Sequence, residues 1–143
     1  MIEIKRLEEV TPEIASIFAR LMTQLSSDSQ VLGMDELRMI IKNENTYVFV
    51  ACNPEIIGTL TLAIISTPSG TKAWIEDVVV DMTARKQGVG RKLIQYAIDF
   101  ATDLKVSSVN LTSRPERTAA NELYKGMGFV LRDTNVYRLT VSL

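Results

Sequence analysis

The chain has 143 residues, enough for one ordinary domain, with a single cysteine, Cys52, and no histidine. Without an imidazole there is no Ser-His-Asp or Cys-His arrangement and no zinc site of the usual His/Cys type, and one cysteine forms no internal disulfide. Sixteen basic against seventeen acidic residues leave a net charge of -1, which gives no electrostatic case for DNA or an anionic membrane as partner, and no apolar run approaches the ~18 residues of a membrane span.

Any acid or base must therefore be a carboxylate, tyrosine, lysine, cysteine or water. Met1 to Leu7 alternates charged and apolar residues and lacks the apolar core of a signal peptide, so a cytoplasmic protein is the expectation. Nothing divides the sequence, and residues 1–143 read as a single domain.

Ile2 and Ile4 alternate with Glu3 and Lys5, a short strand pattern. Thr11-Pro12 reads as an N-cap followed by proline at the first helical position. Ile14, Ile17, Phe18, Leu21, Met22 and Leu25 follow at helical spacing. Ser26 to Ser29 is a polar break. A second helix is predicted from about Asp35 to Lys42, with Leu37, Ile40 and Ile41 on its inner face. Three strands come next: Thr46 to Cys52, Ile56 to Ser66 with Gly58 marking a bulge, and Ala73 to Val80. Their connections are too short for parallel crossovers, so they form an antiparallel meander. Tyr47, Cys52 and Trp74 fall in these strands as core or cleft-wall residues.

Gly88 to Leu104 is a long helix with Leu93, Ile94, Ala97, Ile98 and Ala101 on one face, and Ser107 to Thr112 is a strand. Strand, helix, strand is a βαβ unit that places two strands parallel. Another helix begins at Pro115 or Glu116 and ends near Gly126. Gly128 to Leu131 and Val136 to Val141 are expected to close the chain as a hairpin. The order is β-α-α-β-β-β-α-β-α-β-β, an α/β fold with a mixed sheet and helices on its faces.

The richest stretch runs from the apolar Val78-Val79-Val80 through Arg85-Lys86-Gln87-Gly88-Val89-Gly90-Arg91-Lys92 into the long helix. The first turn of that helix leaves N–H groups without intrahelical partners, and the helix dipole adds positive charge there. Gly88 and Gly90 leave the backbone open to close approach. Arg85, Lys86, Arg91 and Lys92 add four cations. Spacing alone reads this either as an anion site fit for a pyrophosphate or as a solvated basic helix start. Known nucleotide motifs fit poorly. Gly90-Arg91-Lys92-Leu93 lacks the Lys-Ser/Thr ending of a P-loop, and Gly88-Val89-Gly90 lacks the third glycine of the dinucleotide fingerprint.

Arg85-Lys86-Gln87-Gly88-Val89-Gly90 resembles the Gln/Arg-x-x-Gly-x-Gly/Ala signature of the GCN5-related N-acetyltransferases (GNAT). The preceding Ile75-Glu76-Asp77-Val78-Val79-Val80 resembles the family's fourth strand. Asn121-Glu122-Leu123-Tyr124 followed by Gly128-Phe129 resembles its later Asn-x-x-Tyr…Gly-Phe element. The resemblance implies the acyl-CoA N-acyltransferase fold and transfer of an acetyl group from acetyl-CoA to an amine, with no metal. The pyrophosphate would lie on Gln87, Gly88, Val89, Gly90, Arg91 and Lys92, with Arg85 at the first motif position. Lys86 stands where many members have glycine, at little cost if it keeps an ordinary φ. Pantetheine would bond main-chain groups along Val78, Val79 and Val80. There the fourth and fifth strands splay apart, with a bulge in the fourth as the expected cause.

The resemblance implies that Tyr124 protonates or hydrogen-bonds the departing sulfur. A phenol near pKa 10 does not strongly drive a proton onto a thiolate of about 8.5. Tyr124 packing only with Leu123 and Met127 is the alternative. Asn121, one turn earlier, bonds pantetheine or a carbonyl beside its own helix. Glu76 is the candidate base, with Asp77 or water in reserve; either carboxylate could instead pair with Lys72 or Arg138. Cys52 reads as a buried hydrophobe, so direct transfer without an acyl-cysteine is expected. The acceptor would be a small-molecule or peptide amine, not a nucleic acid. It would meet Leu25 to Leu37 and Asp133 to Arg138. The family often pairs as dimers, so a homodimer is also allowed. A non-catalytic acyl-CoA-binding module and an ATP- or GTP-binding protein are the competing readings.

Overall fold

The computed structural model describes residues 1–26 and 32–141. They fall into two compact units, one ending at Leu111 and one beginning at Thr112. In the first unit the order is β1 (Glu3–Arg6), α1 (Pro12–Leu25), α2 (Met34–Lys42), β2 (Thr46–Cys52), β3 (Ile56–Thr67), β4 (Gly70–Val80), α3 (Val89–Asp103) and β5 (Val109–Asn110). The sheet order is β1-β2-β3-β4-β5. The first four strands pair antiparallel and β5 runs parallel to β4, as the meander and the βαβ unit require. Among the described residues no helix is long and apolar enough to cross a membrane.

α1 begins where Thr11 and Pro12 predict. Thr11 Oγ1 accepts from the Ile14 N–H at 3.2 Å, and Pro12 needs no partner at the first position. Phe18 and Leu21 of α1 and Leu37 of α2 pack on Val48, Val50 and Cys52 of β2. Each such side chain, once buried, contributes about 1.5–3 kcal/mol. Ile40, expected on the inner face of α2, is instead exposed, while Leu37 is buried and Met34 and Ile41 pack on the core. At 100° per residue positions 34, 37 and 41 form one stripe, and position 40 falls at its border.

α3 covers the other face. Phe49 meets Tyr96 and Phe100 at ring-centroid distances of 4.9 and 5.1 Å, and Tyr47 meets Phe100 at 4.7 Å. The start of α3 lies close over β3. A Cβ on Gly58 would stand 3.0 Å from the Val79 carbonyl oxygen, 3.2 Å from Val89 Cγ1 and 3.3 Å from Leu93 Cδ1. The β2–β3 register also shifts beside Gly58, between the pairs Ala51↔Gly58 and Cys52↔Ile56. The bulge read from that glycine is therefore present.

β5 is shorter than the expected Ser107 to Thr112. It pairs only as Ala73↔Val109 and Trp74↔Asn110. From Ile75 onward β4 has no paired residue on that side among the described residues.

The second unit holds α4 (Thr118–Gly126), which starts two or three residues later than predicted, after a turn closed by Arg117 N–H to Arg114 O. The closing hairpin expected over 128–131 and 136–141 is not formed; residues 128–141 carry no strand. Val130, Leu131, Val136, Tyr137, Leu139 and Val141 are all exposed. Alternation specifies a face, but an isolated hairpin that buries no such face is marginal in water.

Gly58→Ala should cost about 1–3 kcal/mol in urea unfolding, because a backbone carbonyl and two core side chains must give way together. Unchanged stability would show that α3 does not need this close approach.

Candidate active site

β4 carries one residue more than β3 can pair. The register runs Thr59↔Val79 and Thr61↔Glu76, so Leu60 alone stands opposite Asp77 and Val78, a β-bulge. Asp77 takes the extra turn with φ +51°. Aspartate tolerates this left-handed conformation better than most residues. Directly paired residues share a face. Val48, Thr61 and Glu76 are aligned across three strands, as are Val50, Thr59 and Val79. Val48, Val50 and Val79 belong to the core under α1 and α2. Glu76 and Val79 thus lie on one face, although three residues apart, where a regular strand would oppose them.

Glu76 and Asp77 are exposed, and neither side chain has an ion pair or hydrogen bond among the described residues; the pairing with Lys72 or Arg138 is not formed. Partial loss of solvent pushes the Glu76 carboxyl above its ordinary value, and the Asp77 charge adds to the push.

Beyond the bulge, Val80 ends the strand, a single 3-10 turn spans Met82–Ala84, and the basic loop follows. Arg85 Nε donates to the Val80 carbonyl at 3.4 Å. Gly88 caps α3 with φ +77°, and the first helical bond is Lys92 N–H to Gly88 O at 3.1 Å. The N–H groups of Gln87, Gly88, Val89, Gly90 and Arg91 meet no acceptor among the described residues. A Cβ at Gly88 would meet nothing within 4 Å, and one at Gly90 only Val80 Cγ2 at 3.8 Å. The glycines therefore leave space outside the protein's own packing. Arg85, Lys86, Arg91 and Lys92 form no ion pair among the described residues. Unclaimed amides, open backbone and free cations fit a pyrophosphate.

Lys86 departs from expectation. It has φ +66°, the region where a side chain costs about 1–2 kcal/mol and glycine costs nothing.

In the second unit Tyr124 is buried and meets Phe129 edge to face at 6.0 Å, rather than packing only on its helix neighbours. Asn121 Nδ2 donates to the Arg114 and Pro115 carbonyls at 3.0 and 3.4 Å. Its amide thus serves the carbonyls beside its own helix, one of the two partners foreseen for it.

Cys52 is buried and lies in the α1/α2 core; burial pushes its thiol up, Lys5 opposes and Glu3 adds. A protonated, enclosed thiol is a poor nucleophile. A groove of about 960 Å3 beside α1 is lined by Leu7, Ile14, Val50 and Ile56 under Glu8, Glu9 and Glu13, and no residue of the bulge or basic loop reaches it. Of the expected acceptor-facing segments, residues 27–31 lie outside the described residues. No group of metal-binding side chains occurs among the described residues.

The contacts of Asp81 went unforeseen. Its carboxylate accepts from Arg20 and Gln24 of α1 and from the Thr83 N–H. An aspartate at a strand end before a turn was the available signal.

A model of the acetyltransferase (GNAT) family matches residues 12–129. The chain is 29% identical over 136 residues to the uncharacterized N-acetyltransferase YhdJ of Bacillus subtilis (strain 168), covering 92% of this chain and 94% of that one. A solved structure described as a transcriptional regulator from Bacillus halodurans C-125 superposes with a TM-score of 0.84 at 23% identity, over 98% of this chain and all of that one. AAC(6')-Iy in complex with the bisubstrate analogue CoA-S-monomethyl-acetylneamine superposes with a TM-score of 0.77 at 16% identity, over 99% of each chain.

Two stability measurements test the local geometry. Lys86→Gly should raise stability by up to about 1 kcal/mol, the relief of φ strain exceeding the added freedom of the unfolded chain. Glu76→Gln should raise the thermal midpoint at neutral pH. A carboxyl whose folded pKa is raised costs stability once ionised, so the gain should shrink as pH falls through the carboxylate range and vanish below the unfolded value of about 4.3. A pH-independent difference would remove the ionisation argument.

Proposed function

The chain belongs to the acetyltransferase (GNAT) family, and on that premise we propose that it moves an acetyl group from acetyl-CoA directly onto a primary amine of a small molecule or a peptide. The observation that carries the reading is that the N–H groups from Gln87 to Arg91 meet no acceptor among the described residues, and that Arg85, Lys86, Arg91 and Lys92 form no ion pair among them, at the end of a bulged strand. Val78, Val79 and Val80 lead into this loop on the side where β4 has lost its β5 partner. Their main chain is the proposed track for pantetheine.

The amine nitrogen attacks the thioester carbonyl, a C–N bond forms, the C–S bond breaks, and the sulfur leaves as thiolate. The nitrogen's proton passes to Glu76, directly or through water. The raised affinity of its carboxyl for a proton suits that task. Asp77, one residue on and also exposed, holds negative charge beside it. Tyr124 is the proposed hydrogen-bond donor to the departing sulfur. Asn121 fixes the turn that leads into α4, at a fixed offset from Tyr124 on that helix. Buried Cys52 supports transfer without an acyl-enzyme.

The small-molecule side of the proposal is supported by the CoA–aminoglycoside analogue held in AAC(6')-Iy. The peptide side rests on the family resemblance.

Calorimetry with acetyl-CoA and with ATP tests the loop. Acetyl-CoA should bind, and Gly88→Val should abolish binding by filling the open approach. Tight ATP binding without acetyl-CoA binding would overturn the assignment. Free-thiol release across a panel of amines, aminoglycosides, amino sugars and peptide N-termini among them, tests turnover. Glu76→Gln should lower kcat about 100-fold and Tyr124→Phe about 10- to 100-fold, each with little change in acetyl-CoA affinity. Acetyl-CoA binding with no thiol released on any amine would leave a non-catalytic acyl-CoA-binding module.

A further inference from the structure

The turn between β4 and the basic loop is held from a distant part of the chain. Asp81 is 7% exposed, and all its polar groups are engaged. Its N–H donates to the Ile57 carbonyl and its carbonyl accepts from the Ala84 N–H, each at 2.8 Å. Its carboxylate accepts from the Thr83 N–H at 3.4 Å, Arg20 at 3.1 Å and Gln24 Nε2 at 3.3 Å. Gln24 also works in the opposite sense, its Oε1 accepting from the Met82 N–H at 3.0 Å. Arg20 and Gln24 stand one helical turn apart on α1.

Two anchors fix the loop. One is α3, seated on β3 at Gly58. The other is this turn, and α1 supplies its long-range side-chain contacts. α1 also packs on the face of the sheet where Glu76 lies. The same helix therefore borders the amine side and secures the entrance to the cofactor loop. Arg20 is 55% exposed in its side chain, so its ion pair is screened and contributes little. Gln24, with a donor and an acceptor both used, is the principal link.

We propose that Gln24, with Asp81 and Arg20, is a positioning device that couples α1 to the cofactor loop, so that acetyl-CoA affinity depends on where α1 sits. The inference rests on the acetyl-CoA reading above.

Gln24→Leu keeps the approximate size and helix preference of the side chain and removes both hydrogen bonds. Acetyl-CoA Kd, measured by calorimetry, should rise about tenfold, the effect of losing one charge-assisted hydrogen bond. Asp81→Asn should weaken binding as well. The exchanged pair Gln24→Glu with Asp81→Asn keeps an acceptor for Met82, an amide–carboxylate contact and a charge for Arg20. It should bring Kd back to within about threefold of the parent, a recovery of at least half the lost free energy. Thermal midpoints of all four chains separate this from a mere strut. A strut would lower the midpoint of Gln24→Leu and leave Kd unchanged, and that result overturns the inference. So does an exchanged pair that binds no better than Gln24→Leu. A parent chain that fails to bind acetyl-CoA overturns the earlier functional reading instead.

Discussion

Between Thr59 and Thr61 the chain must fit two residues of β4, Asp77 and Val78, against the single Leu60. Pairing on the β3 side survives on both flanks, so the misfit is absorbed within β4 itself. The extra residue keeps Glu76 and Val79 on the same face and leaves Val80 on the other, against α3. On the other side of β4, pairing with β5 has already ended at Trp74. A strand that stayed regular would turn either its carboxylate or its last core valine to the wrong side. The bulge lets one strand turn a carboxylate and its last core valine to the same face before it leads into the basic loop.

The loop after β4 is organised by its ends. Between the Asp81 turn and the first turn of α3, the amides from Gln87 to Arg91 meet no acceptor among the described residues. A loop stabilised by its own hydrogen bonds would have spent them. Here the order comes from Gly58 admitting α3 on one side and from α1 holding Asp81 on the other. Burial would raise the Asp81 carboxyl, but the bonds from Gln24 and Thr83 and the Arg20 charge outweigh it and hold it below its ordinary value. The turn therefore stays charged and intact through the neutral range, and its contribution is lost only as pH falls through that lowered value.

How far the residues announced this depends on how local each feature is. The Gly88/Gly90 pair and the four cations are legible because they form a run of neighbours with its own turn chemistry, whereas the bulge in β4 was expected only from the family resemblance. The helices and the meander followed from the same signals. The Gln24–Asp81 link was not legible, since 57 residues separate the partners and nothing in either segment names the other. The ordinary φ that would make Lys86 inexpensive is not adopted, and a lysine's own preference gives no sign of the left-handed conformation it takes. Gly128 to Leu131 and Val136 to Val141 flank a polar turn as the strands of a hairpin would. Such a pattern supplies no neighbour to bury its apolar side, and the described residues there remain without strand pairing.

The missing histidine gives these details their weight. With no imidazole in the chain, the acid–base groups left are carboxylate, tyrosine, lysine, cysteine and water. Partial loss of solvent and the neighbouring Asp77 charge raise the Glu76 carboxyl above its ordinary value, and each destabilises the folded state once that carboxyl is ionised. Asp77 and Lys86 both occupy left-handed conformations in the same fifteen residues. Two left-handed residues and an unfavourable charge thus fall between Glu76 and Lys86, while Lys105 takes a third such conformation after α3. They are tolerated because the flanking elements are firmly buried: Val79 under α1 and α2, and Val89 and Leu93 against the sheet. Buried elements on both sides thus hold residues in conformations that their own preference disfavours.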